Sequence, residues 1–299
     1  MHVFALPKPV GFVLSGGGSL GAYQVGMLRS LKAHGVVPDL IAGTSIGAWN
    51  GAVLAEDPDR AAERLSDVWL SVERHDLIPS GWRNRYRAYQ ADRSSMFPGD
   101  AVRGFLGRVL RTKAIEELAV PFCAVATSVE RGRAVVLGSG PLEPALRASA
   151  AVPGVFSAVH LNGEDLYDGG LVANVPVWAA IDMGAKSLVV LDCARPSGIL
   201  GPPTSIVDAV SFSVNVIFRR QTLTDVPAVS ERVPVIYLQG PDRRGRVSAW
   251  DLDHVAESIG EAMASSAQTL DCLDIDGPGL YGDVLVSKQE SSETSTSQQ

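Results

Sequence analysis

Residues 39–49, Asp-Leu-Ile-Ala-Gly-Thr-Ser-Ile-Gly-Ala-Trp, constrain the fold more than any other stretch. Leu40, Ile41 and Ala42 form a short apolar run that reads as a buried strand. From Ile46 to Ala55 the chain changes to small, helix-compatible residues. Between them lies Gly43-Thr44-Ser45-Ile46-Gly47, a Gly-x-Ser-x-Gly pentapeptide in the strand, turn and helix context that exposes a serine hydroxyl at the top of a sheet. Gly43 and Gly47 remove the Cβ atoms that would crowd so sharp a turn. The following helix aims its first N–H groups at charge developing beside Ser45. The plain alternative is a tight turn built of small residues, because Gly, Ser and Ala are common.

A second glycine-rich turn lies one crossover earlier. Val10 to Leu14 reads as a strand and runs into Ser15-Gly16-Gly17-Gly18-Ser19-Leu20-Gly21, then into a helix that ends near His34. Such a loop offers unpaired backbone N–H groups to an anion. Gly16, Gly18 and Gly21 satisfy the Gly-x-Gly-x-x-Gly dinucleotide fingerprint, with Asp39 at a tolerable distance. The ribose-binding acid of that motif comes as the second strand ends, however. Asp39 stands before that strand, which ends in the serine turn instead. An oxyanion hole serving Ser45 is the favoured reading of the loop.

Composition narrows the function classes. A chain of 299 residues, 46% hydrophobic and 20% charged, has ample material for a core, and its net charge of −7 argues against a nucleic-acid partner. The three cysteines, Cys123, Cys193 and Cys272, lack metal-binding spacing, and the first two sit in apolar runs as buried free thiols. No signal peptide is read at the N-terminus, and no apolar run approaches the roughly 18 residues of a membrane span. The cytoplasm is the expected compartment.

Further along, Asp57 to Arg74 reads as a helix. Residues 78–113 are locally basic and aromatic: Arg83, Arg85, Arg87, Arg103, Arg108 and Arg111 alternate with Trp82, Tyr86, Tyr89, Phe97 and Phe105. This is either a solvated insert packing its rings on the body, or a lid whose residues 81–111 contact an anionic membrane peripherally. Val120–Val129 and Arg133–Leu137 read as a hairpin, Pro141–Ala150 as a helix, and Asn162-Gly163 as a turn. Helices at 176–183, about 205–223 and 251–270, and strands at 186–192 and 233–238, complete one α/β domain over residues 1–286. Residues 287–299 lack apolar side chains and read as a disordered tail.

A serine nucleophile needs a base. Of the five histidines only His254 follows in the serine, acid, histidine order of α/β-hydrolase triads, and Asp251-Leu-Asp-His254 reads more simply as a helix start. Asp168-Gly169-Gly170 is the better candidate, because two glycines let a substrate approach the carboxylate closely. A low-dielectric pocket would raise the aspartate's pKa toward that of a useful base. A turn aspartate at a strand end would look the same.

These motifs together resemble the patatin-like phospholipases, serine acyl hydrolases with a Ser-Asp dyad. The resemblance runs through the first two thirds of the chain. It rests on Gly16–Gly21 as the glycine-rich loop, Gly43–Gly47 as the elbow, Arg147–Phe156 as a segment lining the site, and Asp168-Gly169-Gly170 with Asn174 and Pro176 as the acid motif. It implies a three-layer α/β/α fold with a mostly parallel sheet, attack by Ser45, and Asp168 as base. It also implies an oxyanion hole from the backbone at Gly17, Gly18 and Ser19, a lipid or other acyl-ester substrate, and neither metal nor organic cofactor. One departure is Leu20, where the family often carries Arg or Lys.

Overall fold

The computed structural model describes residues 5–72, 95–97, 100–193, 206–241 and 252–283. Among them the strands are Val10–Leu14 (β1), Leu40–Thr44 (β2), Ser95–Phe97 (β3), Phe122–Ser128 (β4), Ala134–Leu137 (β5), Gly154–Phe156 (β6), Val159–Leu161 (β7), Glu164–Asp168 (β8), Ser187–Asp192 (β9), Pro234–Gln239 (β10) and Gly279–Gly282 (β11). The helices are Ala22–Ala33 (α1), Ile46–Glu56 (α2), Ala61–Ser71 (α3), Asp100–Val109 (α4), Leu142–Ser149 (α5), Gly170–Ala173 (α6), Val177–Asp182 (α7), Ile206–Ser230 (α8) and Val255–Asp271 (α9).

Successive side chains of a strand point to opposite faces, so a strand covered on both sides must be apolar throughout. That is the pattern of β1, β2 and β9, every residue of which is buried. Phe12, Leu14, Ile41, Val189 and Leu191 enter a core with α1, α2 and α9 on one face. Val13, Leu40, Ala42, Leu188 and Val190 enter a second core with α7 and Val226 and Val229 of α8 on the other. The result is three layers, α/β/α. The nine-stranded sheet runs β11-β10-β9-β1-β2-β4-β8-β7, with β5 also on β4. From β11 to β4 all neighbours are parallel, while β5, β7 and β8 are antiparallel.

One detail of register positions the site. β2 pairs with one edge of β4 as far as Thr44 opposite Val125, and β8 then takes over that edge with Asp168 opposite Ala126. β5 occupies the other edge, from Ala124 to Thr127. Ser45 therefore leaves the sheet where Asp168 enters it.

The expected β4–β5 hairpin is present, and Asn162 and Gly163, both at positive φ, turn β7 into β8. Three elements differ from expectation. The helix expected from Asp57 begins at Ala61. α8 continues through Pro227 to Ser230, because burial of Val226 and Val229 outweighs the lost backbone donor of the proline. β11 joins the sheet edge although Gly279 and Gly282 weaken its strand pattern. Of the basic aromatic stretch, residues 78–94 and 98–99 lie outside the described residues. Its strand β3 pairs with β6, in the segment between elbow and acid. The tail at 287–299 also lies outside the described residues. Among the described residues no helix is long and apolar enough to cross a membrane.

Candidate active site

Ser45 joins β2 to α2 with φ 55 and ψ −124. A non-glycine residue at positive φ costs on the order of 1–3 kcal/mol and persists only where its surroundings hold it. The flanking glycines allow the turn to close. A Cβ on Gly43 would sit 2.6 Å from Ala48 Cα, and one on Gly47 would sit 2.5 Å from Ser15 O. Neither clash could be relieved without moving backbone, so α2 lies directly against the end of β1.

The Ser45 hydroxyl donates to Asp168 Oδ2 at 2.6 Å. The other carboxylate oxygen, Oδ1, accepts the Gly170 N–H at 2.7 Å. Asp168 is further held through its backbone, donating to Ala151 O at 2.9 Å and accepting from Thr127 Oγ1 at 2.8 Å. Burial pushes its carboxyl up from 3.8 to about 6, against the opposing hydrogen bonds from Ser45 and Gly170. It is thus a stronger base than a solvated aspartate, with a proton donor already in place.

Ser149, at the end of α5, joins Ser45 to the sheet. Its Oγ accepts the Ser45 N–H at 2.9 Å and donates to Val125 O at 2.6 Å. Its carbonyl accepts the Gly169 N–H at 3.3 Å. The motif at 147–156 points to the site as a segment, but this contribution of Ser149 has no sequence signal of its own.

The glycine-rich loop also reaches the serine, since a Cβ on Gly16 would lie 3.3 Å from Ser45 Cβ. Gly16 N–H donates to Asn174 O at 3.1 Å, and Leu20 N–H to Gly17 O at 3.3 Å. Among the described residues, the Gly17 and Gly18 amides have no hydrogen-bond acceptor. Ser19 follows Gly18 in a short 3₁₀ turn, Gly18–Gly21, that leads into α1. The turn after Asp168 is braced from α8, where Gln221 donates to Leu171 O at 2.8 Å and accepts the Asn174 N–H at 3.0 Å.

The other sequence candidates lie elsewhere. Asp39 accepts the Val10 N–H at 2.7 Å and an exposed hydrogen bond from Lys8, at the start of β1 and so at the far end of that strand from the glycine loop. It cannot hold a ribose against Gly16–Gly21. His254 is an exposed residue capping α9, His34 bonds Ser30 O and Asp271, and His160 bonds Asp165. Cys123 and Cys193 are buried free thiols, and burial pushes Cys123 up to about 12.

Comparison with known proteins agrees with this architecture. VipD from Legionella pneumophila superposes with a TM-score of 0.50 at 14% identity, covering 89% of this chain and 67% of that one, a likeness of fold. Human patatin-like phospholipase domain-containing protein 6 is 34% identical over 188 residues, 61% of this chain and 13% of that protein. Lysophospholipase NTE1 of Debaryomyces hansenii is 28% identical over 185 residues, 62% of this chain and 12% of its own length. The chain thus matches only a small part of these relatives. The patatin-like phospholipase family model itself matches residues 12–181, a span that holds the glycine-rich loop, the Ser45 elbow and the Asp168 turn. On that match the chain belongs to the patatin-like phospholipase family.

Proposed function

We propose that the protein is a serine acyl hydrolase of lipid esters, of phospholipase A or lysophospholipase type, working through an acyl-Ser45 intermediate. The single observation that carries this reading is the 2.6 Å hydrogen bond from Ser45 Oγ to a buried, basic Asp168. In acylation Ser45 Oγ attacks the ester carbonyl carbon while its proton passes to Asp168 Oδ2. The carbonyl π electrons move to oxygen, giving an oxyanion that the amides of Gly17, Gly18 and Ser19 stabilise. Collapse of the tetrahedral intermediate expels the alcohol, which takes the proton from Asp168. In deacylation Asp168 accepts a proton from water as the water attacks the acyl-serine, and returns it to Ser45 as the acid departs.

The family and the name of its fungal relative, a lysophospholipase, support a lipid ester as substrate. A lipid substrate also makes peripheral contact with an anionic membrane through residues 81–111 part of the proposal. The test is labelling by a fluorophosphonate, followed by peptide mapping and assay on a panel of phospholipids, lysophospholipids and acylglycerols. Labelling at Ser45, with hydrolysis lost in Ser45→Ala, is the expected result. An unlabelled Ser45, or hydrolysis surviving in Ser45→Ala, overturns the reading.

A further inference from the structure

Three buried polar side chains lie behind the glycine-rich loop, where an apolar core would be expected. Gln24 on α1, Asn50 on α2 and Trp69 on α3 are 0%, 2% and 5% exposed. Trp69 Nε1 donates to Asn50 Oδ1 at 3.1 Å. Asn50 Nδ2 donates to Gln24 Oε1 at 2.8 Å and to Gly21 O at 3.0 Å. Gln24 Nε2 donates to Ser15 O at 2.9 Å and to Leu191 O at 3.1 Å.

The chain of bonds has one direction only. The indole can only donate, so Asn50 must present its oxygen to Trp69 and its nitrogen to Gln24. The two carbonyls at Ser15 and Leu191 then require the Gln24 nitrogen, which agrees with its oxygen facing Asn50. Every side-chain donor and acceptor of the three residues is used, leaving no alternative orientation that keeps the bonds.

The two ends of this relay are Ser15 O and Gly21 O, the carbonyls on either side of residues 16–20. Within that segment Gly16 N–H donates to Asn174 O and Leu20 N–H to Gly17 O, while the carbonyl of Gly16 accepts from Ser15 Oγ and those of Ser19 and Leu20 from the Ala22 N–H. Among the described residues none of these bonds is made by the Gly17 or Gly18 amide. The direction of the Gly17 and Gly18 amides therefore depends on how the segment on either side of them is held.

We infer that Trp69, Asn50 and Gln24 are positioning residues for the glycine-rich loop, fixing both its ends so that the Gly17 and Gly18 amides meet the oxyanion formed on Ser45. This rests on the hydrolase reading above. Removing the relay leaves the nucleophile and Asp168 in place but lets the loop drift, so the loss falls on transition-state binding. Misplacement of about 1 Å by a change remote from the chemistry can cost about 100-fold.

The test uses the full chain with p-nitrophenyl butyrate and a fluorophosphonate, comparing Asn50→Leu and Trp69→Phe with wild type. Asn50→Leu is expected to lower kcat by about 10- to 100-fold, with KM unchanged and Ser45 phosphonylation slowed in proportion. Trp69→Phe, which deletes one hydrogen bond and keeps most of the ring, is expected to lose roughly 3- to 10-fold in the same way. The pH at half-maximal rate stays that of wild type, because Asp168 is untouched. A purely structural role would instead lower thermal stability and leave kcat per folded molecule unchanged, which overturns the inference. If Asn50→Leu does not fold, an unchanged kcat in Trp69→Phe overturns it equally. A wild type that the fluorophosphonate does not label at Ser45 fails earlier, bringing down the hydrolase reading and this one together. Labelled wild type with unaffected variants brings down the relay alone.

Discussion

The amide of Ser45 is already committed to Ser149, whose hydroxyl accepts it at 2.9 Å. In many serine hydrolases backbone amides near the nucleophile help to stabilise the oxyanion. Here the Ser45 N–H serves to hold the elbow, and under the proposed mechanism oxyanion stabilisation falls to the glycine-rich loop.

Ser149→Ala should therefore lower kcat by about 10-fold with little change in KM. The change strands the Ser45 N–H and the Val125 carbonyl, and the strained turn relaxes away from its attacking geometry. Ser149→Thr keeps the hydroxyl and should recover most of the rate. Steady-state kinetics on a soluble ester, read beside thermal melts, would separate loss of geometry from loss of fold.

Asp168→Asn should cost about 10⁴-fold or more in turnover, on the pattern of essential groups in serine hydrolases. The amide cannot take the proton from Ser45. His254→Ala should leave activity near wild type, since His254 is exposed at the start of α9. The reverse pattern in folded proteins would restore a histidine triad and remove the dyad.

The same aspartate sets a pH dependence for rate and, with opposite sign, for stability. Its carboxyl is raised from 3.8 to about 6, so turnover should climb as pH rises through about 6 and then level off. Between those two values the folded protein holds a proton that the unfolded chain has released, so folding weakens as pH rises across that window. A shift of roughly two units corresponds to at most about 3 kcal/mol. Asp168→Asn carries no charge and can still accept from Gly170 and meet Ser45. It should melt higher than wild type at pH 8, with the difference shrinking toward pH 4. Equal melting temperatures at both pH values would count against a desolvated carboxylate.

The membrane proposal has its own readout. Arg103, Arg108 and Arg111 are exposed on and just beyond α4. Each cation near an anionic bilayer contributes about 1 kcal/mol, so the triple change to Gln should weaken binding to phosphatidylserine vesicles by roughly 100-fold at low salt. Hydrolysis of a soluble ester should be unchanged. Unaltered vesicle sedimentation would remove these residues from any docking surface.

Much of this site is legible in the amino-acid sequence. The apolar runs of β1, β2 and β9 are long enough to identify themselves, and Gly43 and Gly47 flank the serine at the spacing its turn requires. Gly169 and Gly170 mark Asp168, and the family resemblance pairs it with Ser45. Local sequence does not make that pairing, because it depends on β2 and β8 sharing one edge of β4. Gln24, Asn50 and Ser149 give no signal, since a polar residue on a helix reads as solvent-facing until tertiary contacts bury it. Pro227 misleads for a related reason: a local breaker is overruled by packing of Val226 and Val229. β11 is hidden by its glycines.

The brace on the acid turn bears on where this protein can be divided. Residues 12–181 carry the family's signature, yet Gln221, which holds Leu171 and Asn174, lies beyond them, as does β9, the strand beside β1. A fragment cut at 181 would leave one side of β1 without its hydrogen-bonding neighbour and the Asp168 turn without its clamp. The stretch that carries the family's motifs and the contacts that hold them are therefore not coextensive: the motifs lie in the first part of the chain and are braced by the second.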